Sequence, residues 1–553
     1  MTAADTQFDV VVVGGTPGGI AAALSAGRAG RKVLLIESHR HIGGMSASGL
    51  GKSDVEKRHL IGGLFREFTD RVRRRYLDRF GERSPDFVLC RDGYYFEPSV
   101  AEAVFDEMLG DCASVFVLTQ HRLVRADVRQ NVLTRIEIED CSDESRPQAG
   151  SVRHFWCSAG VFIDATYEGD LLAAAGAEFR LGRESRDEFN EPHAGHIYFD
   201  YQAAKILPGS TGECDELLPA YTYRLCLTTD PENAYVLTEP PRGYDRGNYV
   251  AYFDDLAAGR LSGPKTMKPG RGYNPAHFDT MVRALSVSEI PNHKTDVNIN
   301  PRPLGFPFPE ENVGYVNGDE ATRQGICKRH RELTLGLLWF LQNDDDIPSA
   351  HRDIARQYHL PLDEFTDNGH FPFQLYVREA RRLKGEYTLT EHDMTAKSDA
   401  RSGHADTIAI GEFPIDSFPC RKRQPGDSLV LEGYLGMLDS VTQPYEIPYR
   451  IMIPQSIDGL IVPVAASTTH VAYSSIRMEP TWMALGQAAG TAANLALADR
   501  MQPRSVSVDS LRRKLVADGQ VLGAESLNPN AAAVARTRKT PQTSRDGNRE
   551  LYK

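Results

Sequence analysis

Apolar residues near the N-terminus follow a pattern that predicts a strand, a helix and a second strand. Residues 9–13 include four consecutive valines, which are β-branched and typical of a strand buried on both faces. Small residues over 20–29 predict a closely packed helix, and 32–37, which contains Val-Leu-Leu-Ile, predicts another buried strand. Together these elements form a βαβ unit, and we expect its crossover to be right-handed.

Later segments extend this pattern. Further strands are predicted at 115–119, 135–139, 160–165 and 459–464, and further helices at 330–342, 371–384 and 481–498. The segment 178–455 differs from both ends of the chain, because it is rich in Pro, Tyr, Asp and Arg and has few purely apolar runs. We therefore predict an α/β fold with a parallel sheet, interrupted by an inserted α+β segment that carries long loops.

The composition excludes several classes of protein. Of the 553 residues, 41% are hydrophobic and 25% charged, which is ordinary for a globular protein. The formal net charge of −12 argues against nucleic-acid binding, which needs a basic surface. Eight cysteines without a C-x-x-C pair fit a reducing compartment. Because no apolar run approaches the roughly 20 residues of a membrane span, we expect a cytoplasmic protein without membrane contact, and a homo-oligomer is compatible with the sequence.

The turn after the first strand has the residue types of a dinucleotide-binding loop. Its residues are Gly14, Gly15, Thr16, Pro17, Gly18 and Gly19. In the pattern G-x-G-x-x-G, Thr16 stands where the middle glycine lets backbone approach the pyrophosphate. Its side chain must therefore point away from a ligand, or its hydroxyl must replace a water molecule. A glycine-rich turn without a ligand is the alternative.

An acidic residue and a second glycine stretch narrow the choice of dinucleotide. Glu37 ends the second strand, where a carboxylate accepts hydrogen bonds from an adenosine ribose and repels the 2′-phosphate of NADP. The stretch 41–49 includes Gly43, Gly44, Met45 and Ser46. Small residues there let the backbone run along an extended ligand, whereas a nicotinamide dehydrogenase would begin another helix. The pattern favours FAD over NAD.

Several motifs resemble those of a known family. V-V-V-G-G-T-P-G-G-I and E-x-x-x-x-I-G-G-M resemble FAD-dependent oxidoreductases related to the fumarate-reductase-like and glutathione-reductase-like flavoproteins. F-I-D-A-T-Y-E-G-D at 162–170 and the stretches 376–392 and 474–490, the last containing S-I-R-M-E-P, are similar to one branch of that family. The resemblance covers 8–522 and implies a Rossmann-like FAD-binding domain, 1–177 and 456–525. It also implies a substrate domain at 178–455, and a disordered tail is expected at 526–553.

The resemblance also implies roles for residues outside the glycine turn. The backbone at Ala165 and Thr166 would close over the dinucleotide. Arg477, Met478 and Glu479 would introduce the last helix, whose N-terminus would point at the flavin pyrimidine. We expect FAD to be bound noncovalently, although His41 precedes the double glycine and could form a covalent link.

Candidate catalytic residues follow from the expected reaction, a hydride transfer between a polar small molecule and flavin N5. His470, with Tyr473 nearby, is the first candidate for a base, and His370 is the second. Arg378 and Arg382 are four residues apart on the predicted helix 371–384 and could hold a carboxylate or sugar hydroxyls. A solvated charged face is the more ordinary interpretation of these arginines.

Several motifs of other enzyme classes are missing from the sequence, and two alternative functions stay open. No second G-x-G-x-x-G, paired redox cysteines or H-E-x-x-H is present, so we predict neither a nicotinamide domain nor a metal. The family association suggests a sugar or glycoside as substrate. One alternative is an FAD-dependent monooxygenase that uses an external reductant. The other is a binding or RNA-modification accessory protein that keeps FAD for a structural purpose.

Overall fold

The computed structural model describes residues 6–142, 154–200, 203–257, 285–299, 308–395, 404–422 and 430–523. The longer strands are β1 Val10–Val13, β2 Val33–Ile36, β3 Val115–Leu118, β4 His121–Arg129, β5 Val132–Asp140, β6 His154–Ser158, β7 Val161–Asp164, β8 Leu225–Thr228, β9 Leu285–Ile290, β10 Lys294–Ile299, β11 Thr407–Gly411 and β12 Tyr445–Pro448, followed by the short β13 Leu460–Ile461. The longer helices are α1 Pro17–Arg28, α2 Gly63–Phe80, α3 Pro98–Gly110, α4 Ala251–Ala257, α5 Glu320–Asn343, α6 Ser349–Ala355, α7 His470–Ile476, α8 Glu479–Ala498 and α9 Val508–Ala517. The predicted tail 526–553 lies outside the described residues.

A five-stranded parallel sheet confirms the predicted fold class. Its strand order is β13-β7-β1-β2-β3, and every neighbouring pair is parallel. Val13 pairs with Ile36 on one side and with Asp164 on the other. Because the carboxyl ends of parallel strands meet at one edge, the residues that follow β1, β2 and β7 come together there, at the usual ligand-binding edge of an α/β sheet.

The valines of β1 separate two cores. Val10 and Val12 pack with α1 and α8, whereas Val11 and Val13 pack with Leu133, Ile136 and Ile138 of β5. The strands β4, β5 and β6 form a mostly antiparallel second sheet that covers this other face. Both faces of the parallel sheet are therefore buried, which explains why β1 consists only of apolar residues.

Small residues allow α8 to lie directly against α1. A Cβ added to Gly486 would lie 1.9 Å from the carbonyl oxygen of Gly18, and one added to Gly490 would lie 2.2 Å from that of Ala22. The two helix backbones are thus in contact at these glycines. This contact fixes the N-terminus of α8 relative to the turn between β1 and α1.

The inserted segment contains both helices and antiparallel strands. The strands β8, β10 and β9 form a three-stranded antiparallel sheet, and β11 pairs with β12. Helix α5 includes the predicted helix 330–342 and begins ten residues earlier. The secondary structure is that expected of an α+β insertion, and the domain boundaries stay a prediction.

The predicted helix 371–384 is wrong. This segment is irregular and extended, and only Arg382–Leu383 forms a short strand, paired with Phe179–Arg180. Every residue from 374 to 383 is buried. A helix at a protein surface buries one face, whereas an extended chain can bury side chains that point to opposite sides. Arg378 and Arg382 are both fully buried, so the interpretation as a solvated charged face is also wrong.

Candidate functional site

The turn between β1 and α1 is built without space for side chains. Gly14 has φ of +103°, and a Cβ on it would lie 2.6 Å from the carbonyl group of Ala165. A Cβ on Gly19 would lie 1.9 Å from the carbonyl oxygen of Gly14. These two positions are the first and third glycines of the dinucleotide pattern. They bring the backbone of Ala165 and Thr166 against the turn, as the sequence resemblance implies.

Thr16 replaces the middle glycine by acting as the N-cap of α1. Its hydroxyl accepts a hydrogen bond from the Gly19 N–H at 3.2 Å and donates one to the Ala165 carbonyl at 2.9 Å. Both hydrogen bonds of the hydroxyl are made within the protein. This is the arrangement in which the Thr16 side chain points away from a ligand, the first of the two expected from the sequence. Pro17 begins the helix, where its missing N–H costs no hydrogen bond.

Glu37 closes the turn from the other side. Its Oε2 accepts the Gly15 N–H at 2.7 Å, and its Oε1 accepts the His39 N–H at 2.7 Å and the Ser38 hydroxyl at 3.1 Å. An ionised carboxylate has about four acceptor positions, so one position on Oε2 stays open after these three bonds. Glu37 therefore orders the glycine turn and still presents an acceptor to the cavity beside it.

A long cavity of about 880 Å³ begins at this edge of the sheet. Gly14, Thr16 and Glu37 line one part of it, and Gln374 and Leu375 line another. The wall also includes Thr166, Tyr167, Glu168, Tyr315, Phe373 and Arg381. A volume near the upper end of the usual range for ligand pockets suits a long ligand such as a dinucleotide.

Tyr167 connects this cavity to the N-terminus of α8. Its hydroxyl accepts the Met45 N–H at 3.0 Å and donates a hydrogen bond to Glu479. A Cβ on Gly44 would lie 2.3 Å from the same hydroxyl, so glycine is needed at that position. Burial raises the pKa of Glu479 to about 8, which makes its protonated form the main one at neutral pH.

Two buried polar atoms beside Tyr167 have no hydrogen-bond partner among the described residues. They are Oε2 of Glu479 and Nε1 of Trp482, both in the first turn of α8. The rings of Tyr167 and Trp482 lie 5.3 Å apart. Because buried polar groups are normally paired, each of these atoms has the capacity to bind a polar group that the described residues do not supply.

His470 lies at the start of α7 in a buried network. Its Nδ1 lies 2.7 Å from Oε2 of Glu379, and its backbone N–H donates to Oε2 of Glu184 at 2.8 Å. Arg382 binds both carboxylates, with 2.8 Å from its Nε to Glu379 and 2.8 Å from its Nη1 to Glu184. Glu379 therefore orients the imidazole, and the network joins the segments around residues 184, 379–382 and 470.

The other predicted catalytic residues are distributed differently. Tyr473 lies one turn after His470 and points its hydroxyl at the Val464 carbonyl, 3.4 Å away. His370 has φ of +59° and is half-buried, with its ring against Tyr235, and it makes no hydrogen bond to the His470 network. The structure brings His470 and Tyr473 together and leaves His370 outside their network.

A second, smaller pocket of about 80 Å³ adjoins the turn before α8. Arg477, Met478 and Tyr376 line it, together with Arg224, Asp416 and Asn298. Tyr376 directly follows Gln374 and Leu375, which line the long cavity. Arg378 lies next to this pocket rather than on a solvated surface, since its guanidinium group contacts Tyr376, Phe418 and Asn298.

Several residues of this arrangement escaped the sequence analysis. Tyr167 lies within the motif F-I-D-A-T-Y-E-G-D, where an aromatic residue between small and acidic ones was a usable signal. Glu379 lies in the segment 371–384, which is not the helix that its sequence predicts, and Glu184 and Arg224 carry no local pattern. Their partners in the site are 72 to 286 residues away in sequence, so spacing could not reveal them.

The described residues hold neither a membrane-spanning helix nor a cluster of metal-binding side chains. No helix in this part of the chain has the length and apolar character needed to cross a membrane. Within the same residues, no cluster of three or more His, Cys, Asp or Glu side chains is arranged to hold a metal ion.

The comparisons with solved structures give partial overlaps. THI4 from Thermovibrio ammonificans is 19% identical, with 32% of this chain and 67% of that chain covered and a TM-score of 0.23. L-proline dehydrogenase from P. horikoshii is 14% identical, with 33% of this chain and 25% of that chain covered and a TM-score of 0.18. The p-nitrophenol 4-monooxygenase PnpA from Pseudomonas putida DLL-E4 is 18% identical, with 36% of this chain and 49% of that chain covered and a TM-score of 0.19. The chain thus spans a quarter to two thirds of these relatives, and overlaps of this size do not assign a reaction.

The sequence comparisons are more decisive. No curated protein matches the chain. A family model described as FAD dependent oxidoreductase matches residues 9–515, which extend from β1 through the inserted segment to α9. The match thus includes the glycine turn, Glu37, the long cavity and the turn before α8. The chain belongs to the FAD-dependent oxidoreductases.

Proposed function

We propose that the protein transfers a hydride between a polar small molecule, for example a sugar or glycoside, and FAD. The observation that carries this proposal is the shared wall of two cavities. Gln374 and Leu375 line the long cavity, and the adjacent Tyr376 lines the small polar pocket. A substrate in the small pocket would then be separated from the long cavity by the chain segment 374–376. The segment 178–455, which supplies Tyr376, is accordingly proposed as the substrate domain.

The residues around the long cavity fit FAD. The open acceptor position of Glu37 suits a ribose hydroxyl, and the start of α1 suits the pyrophosphate. Beyond Tyr167, which lines the cavity, the unpartnered atoms of Glu479 and Trp482 suit the polar edge of the flavin ring. Both ring nitrogens of His41 already face carboxylates, Glu102 at 2.8 Å and Asp367 at 3.0 Å, which supports noncovalent binding. When bound, FAD supplies the hydride acceptor or donor.

His470 is proposed as the group that takes the proton released from the substrate. Glu379 fixes the orientation of the imidazole through Nδ1, which leaves Nε2 as the nitrogen available for proton transfer. His470 is 4% exposed, so its surroundings limit proton exchange with water. Helix α7 carries His470 at its first turn and leads directly into Arg477 at the small pocket. Both residues are therefore held by one short helix.

The small pocket does not favour the monooxygenase alternative. A reaction that inserts oxygen needs an apolar site that excludes water from the reduced cofactor. Lys52, Arg224, Asp416 and Arg477 instead give this pocket a charged lining. Such a lining suits a substrate that carries polar or charged groups.

A screen for anaerobic bleaching of the bound flavin tests the proposed function. Candidate sugars, glycosides, amines and hydroxy acids are mixed with the purified protein without oxygen, and absorbance near 450 nm is followed. At least one class should bleach the flavin without NADH. If no candidate bleaches it while an aromatic substrate stimulates NADH consumption, the monooxygenase function replaces this proposal.

A further inference from the structure

The small pocket contains arginines whose charge is not fully compensated. Arg477 is 4% exposed, and its Nη1 and Nη2 donate to the Tyr376 hydroxyl and the Asp416 carbonyl, both at 2.8 Å. The nearest carboxylate contact of Arg477 is with Asp416 at 3.9 Å. This distance is too long for the direct, charge-assisted hydrogen bond that a guanidinium group usually makes with a carboxylate.

A second arginine lies directly behind the pocket. Arg378 is fully buried, and its guanidinium carbon lies 3.6 Å from the ring centre of Phe418 and 4.3 Å from that of Tyr376. Its hydrogen bonds go to the Ala220 carbonyl and the Asn298 side chain, and its Nε has no partner among the described residues. Burial lowers the pKa of Arg378 to about 9, and the nearby charges of Arg477 and Arg224 contribute to the shift.

The acidic residues do not cancel these two charges. Asp296 forms a two-bond ion pair with Arg224, at 2.5 and 2.8 Å, so its negative charge compensates Arg224 rather than Arg477 or Arg378. Burial raises the pKa of Asp416 to about 6, so its carboxylate is ionised only in part at slightly acidic pH. Lys52, Asp54 and Glu56 also line the pocket, and the charge of Asp54 acts on Arg477 and Arg224. Among the described residues, however, neither Arg477 nor Arg378 has a carboxylate contact shorter than 3.9 Å.

A buried cation without a directly bound anion is unfavourable unless a ligand compensates its charge. The pocket also offers Ser288 and Asn298, which can bind further oxygen atoms. Its volume of about 80 Å³ equals several water molecules, at roughly 10–15 Å³ each. A group the size of a carboxylate with a few further atoms would fill it.

We propose that the small pocket binds the carboxylate of the substrate, and that the substrate is a small organic acid such as a 2-hydroxy acid or a sugar acid. This inference rests on the proposed function, because it assumes that the pocket holds the substrate. Arg477 is the residue that contacts the carboxylate, and Arg378 adds its charge from behind the wall. The planar guanidinium group of Arg477 suits the two oxygens of a carboxylate better than an ammonium group would.

Calorimetric titration of the FAD-loaded protein tests this inference without requiring turnover. Glycolate and lactate are compared with their neutral amides, glycolamide and lactamide, which have the same shape. We expect the acids to bind about tenfold or more tightly than the amides. Equal binding of acids and amides, or no binding of either, overturns the inference. This comparison uses the wild-type protein and does not depend on how a variant folds.

The variant Arg477→Gln assigns the effect to the pocket. It should weaken lactate binding about tenfold and leave lactamide binding unchanged, while Arg66→Gln on the exposed face of α2 should change neither. Unchanged lactate affinity in Arg477→Gln overturns the assignment.

The experiments distinguish a failure of this inference from a failure of the proposed function. Bleaching by neutral sugars without carboxylate binding overturns only the carboxylate pocket, and carboxylate binding without any bleaching overturns only the hydride transfer.

Discussion

The hydroxyl of Tyr167 donates a hydrogen bond to the carboxyl group of Glu479, which lies 312 residues further along the chain. The same hydroxyl accepts the N–H of Met45, so one side chain connects the loop after β2, the segment after β7 and the start of α8. These three segments meet at Tyr167, which lines the cavity that is proposed to hold the flavin. Their connection explains why residues far apart in sequence can form one cofactor site.

The buried carboxyl group of Glu479 should make stability depend on pH. Its pKa is raised from 4.5 to about 8 in the folded protein. The unfolded chain therefore releases this proton at a lower pH, and the stabilisation from protonated Glu479 is lost as pH rises from about 4.5 to 8. We predict that Glu479→Gln flattens this decrease in the free energy of unfolding, measured by urea denaturation between pH 5 and 8.5. An unchanged slope would show that Glu479 ionises normally.

Glu37 should contribute to FAD affinity through its charge. Replacing it with Gln keeps an acceptor for the glycine turn but removes the charge-assisted bond that is proposed to bind the ribose, which would be worth about 1.5–3 kcal/mol. FAD affinity, measured by titrating the protein after removal of its cofactor, should fall by about one to two decades, and further in Glu37→Ala. Glu107→Gln, on the surface of α3, is the matched control. Wild-type affinity in Glu37→Gln would limit Glu37 to ordering the turn.

Two glycines in helices should respond in opposite ways to substitution by alanine. Gly486→Ala places a methyl group 1.9 Å from the Gly18 carbonyl, so α8 must move away from α1. We predict a lower melting temperature and weaker FAD retention. Gly325 in α5 has no atom within 4 Å of the added Cβ, so Gly325→Ala should stabilise the protein by about 0.5–1 kcal/mol. Thermal unfolding of both variants checks the pair, and stabilisation by Gly486→Ala would contradict the close helix contact.

His470 should affect the chemical step rather than cofactor binding. His470→Ala keeps the backbone N–H that binds Glu184, so FAD content should stay at the wild-type value. The rate of flavin reduction by substrate should fall by about 10²–10⁴, the usual contribution of a positioned base. Stopped-flow absorbance measures this rate, and His370→Ala serves as the control. A wild-type rate in His470→Ala together with a slow His370→Ala would transfer the role to His370.

The parts of the fold that depend on local signals could be predicted from the sequence. Four valines define β1, glycines define the turn, and Pro480 near the start of α8 marks a helix N-terminus. Each of these signals lies within about 20 residues of the structure it determines.

The segment 371–384 could not be predicted in the same way. Arg378, Arg381 and Arg382 look like an exposed helix face, yet their partners Ala220, Asp170 and Glu184 lie 158, 211 and 198 residues away. Whether an arginine is solvated or buried depends on those distant partners. The polar pocket could not be predicted for the same reason, since Arg477 and Arg224 are about 250 residues apart in the sequence.

The cofactor of the purified protein tests the central claim most directly. The protein is precipitated with acid, and the nucleotide in the supernatant is identified by chromatography and counted per chain. The glycine turn, Glu37 and the long cavity predict one FAD released per chain and a colourless pellet. Colour that stays in the pellet would contradict noncovalent binding, and NAD in place of FAD would contradict the whole account.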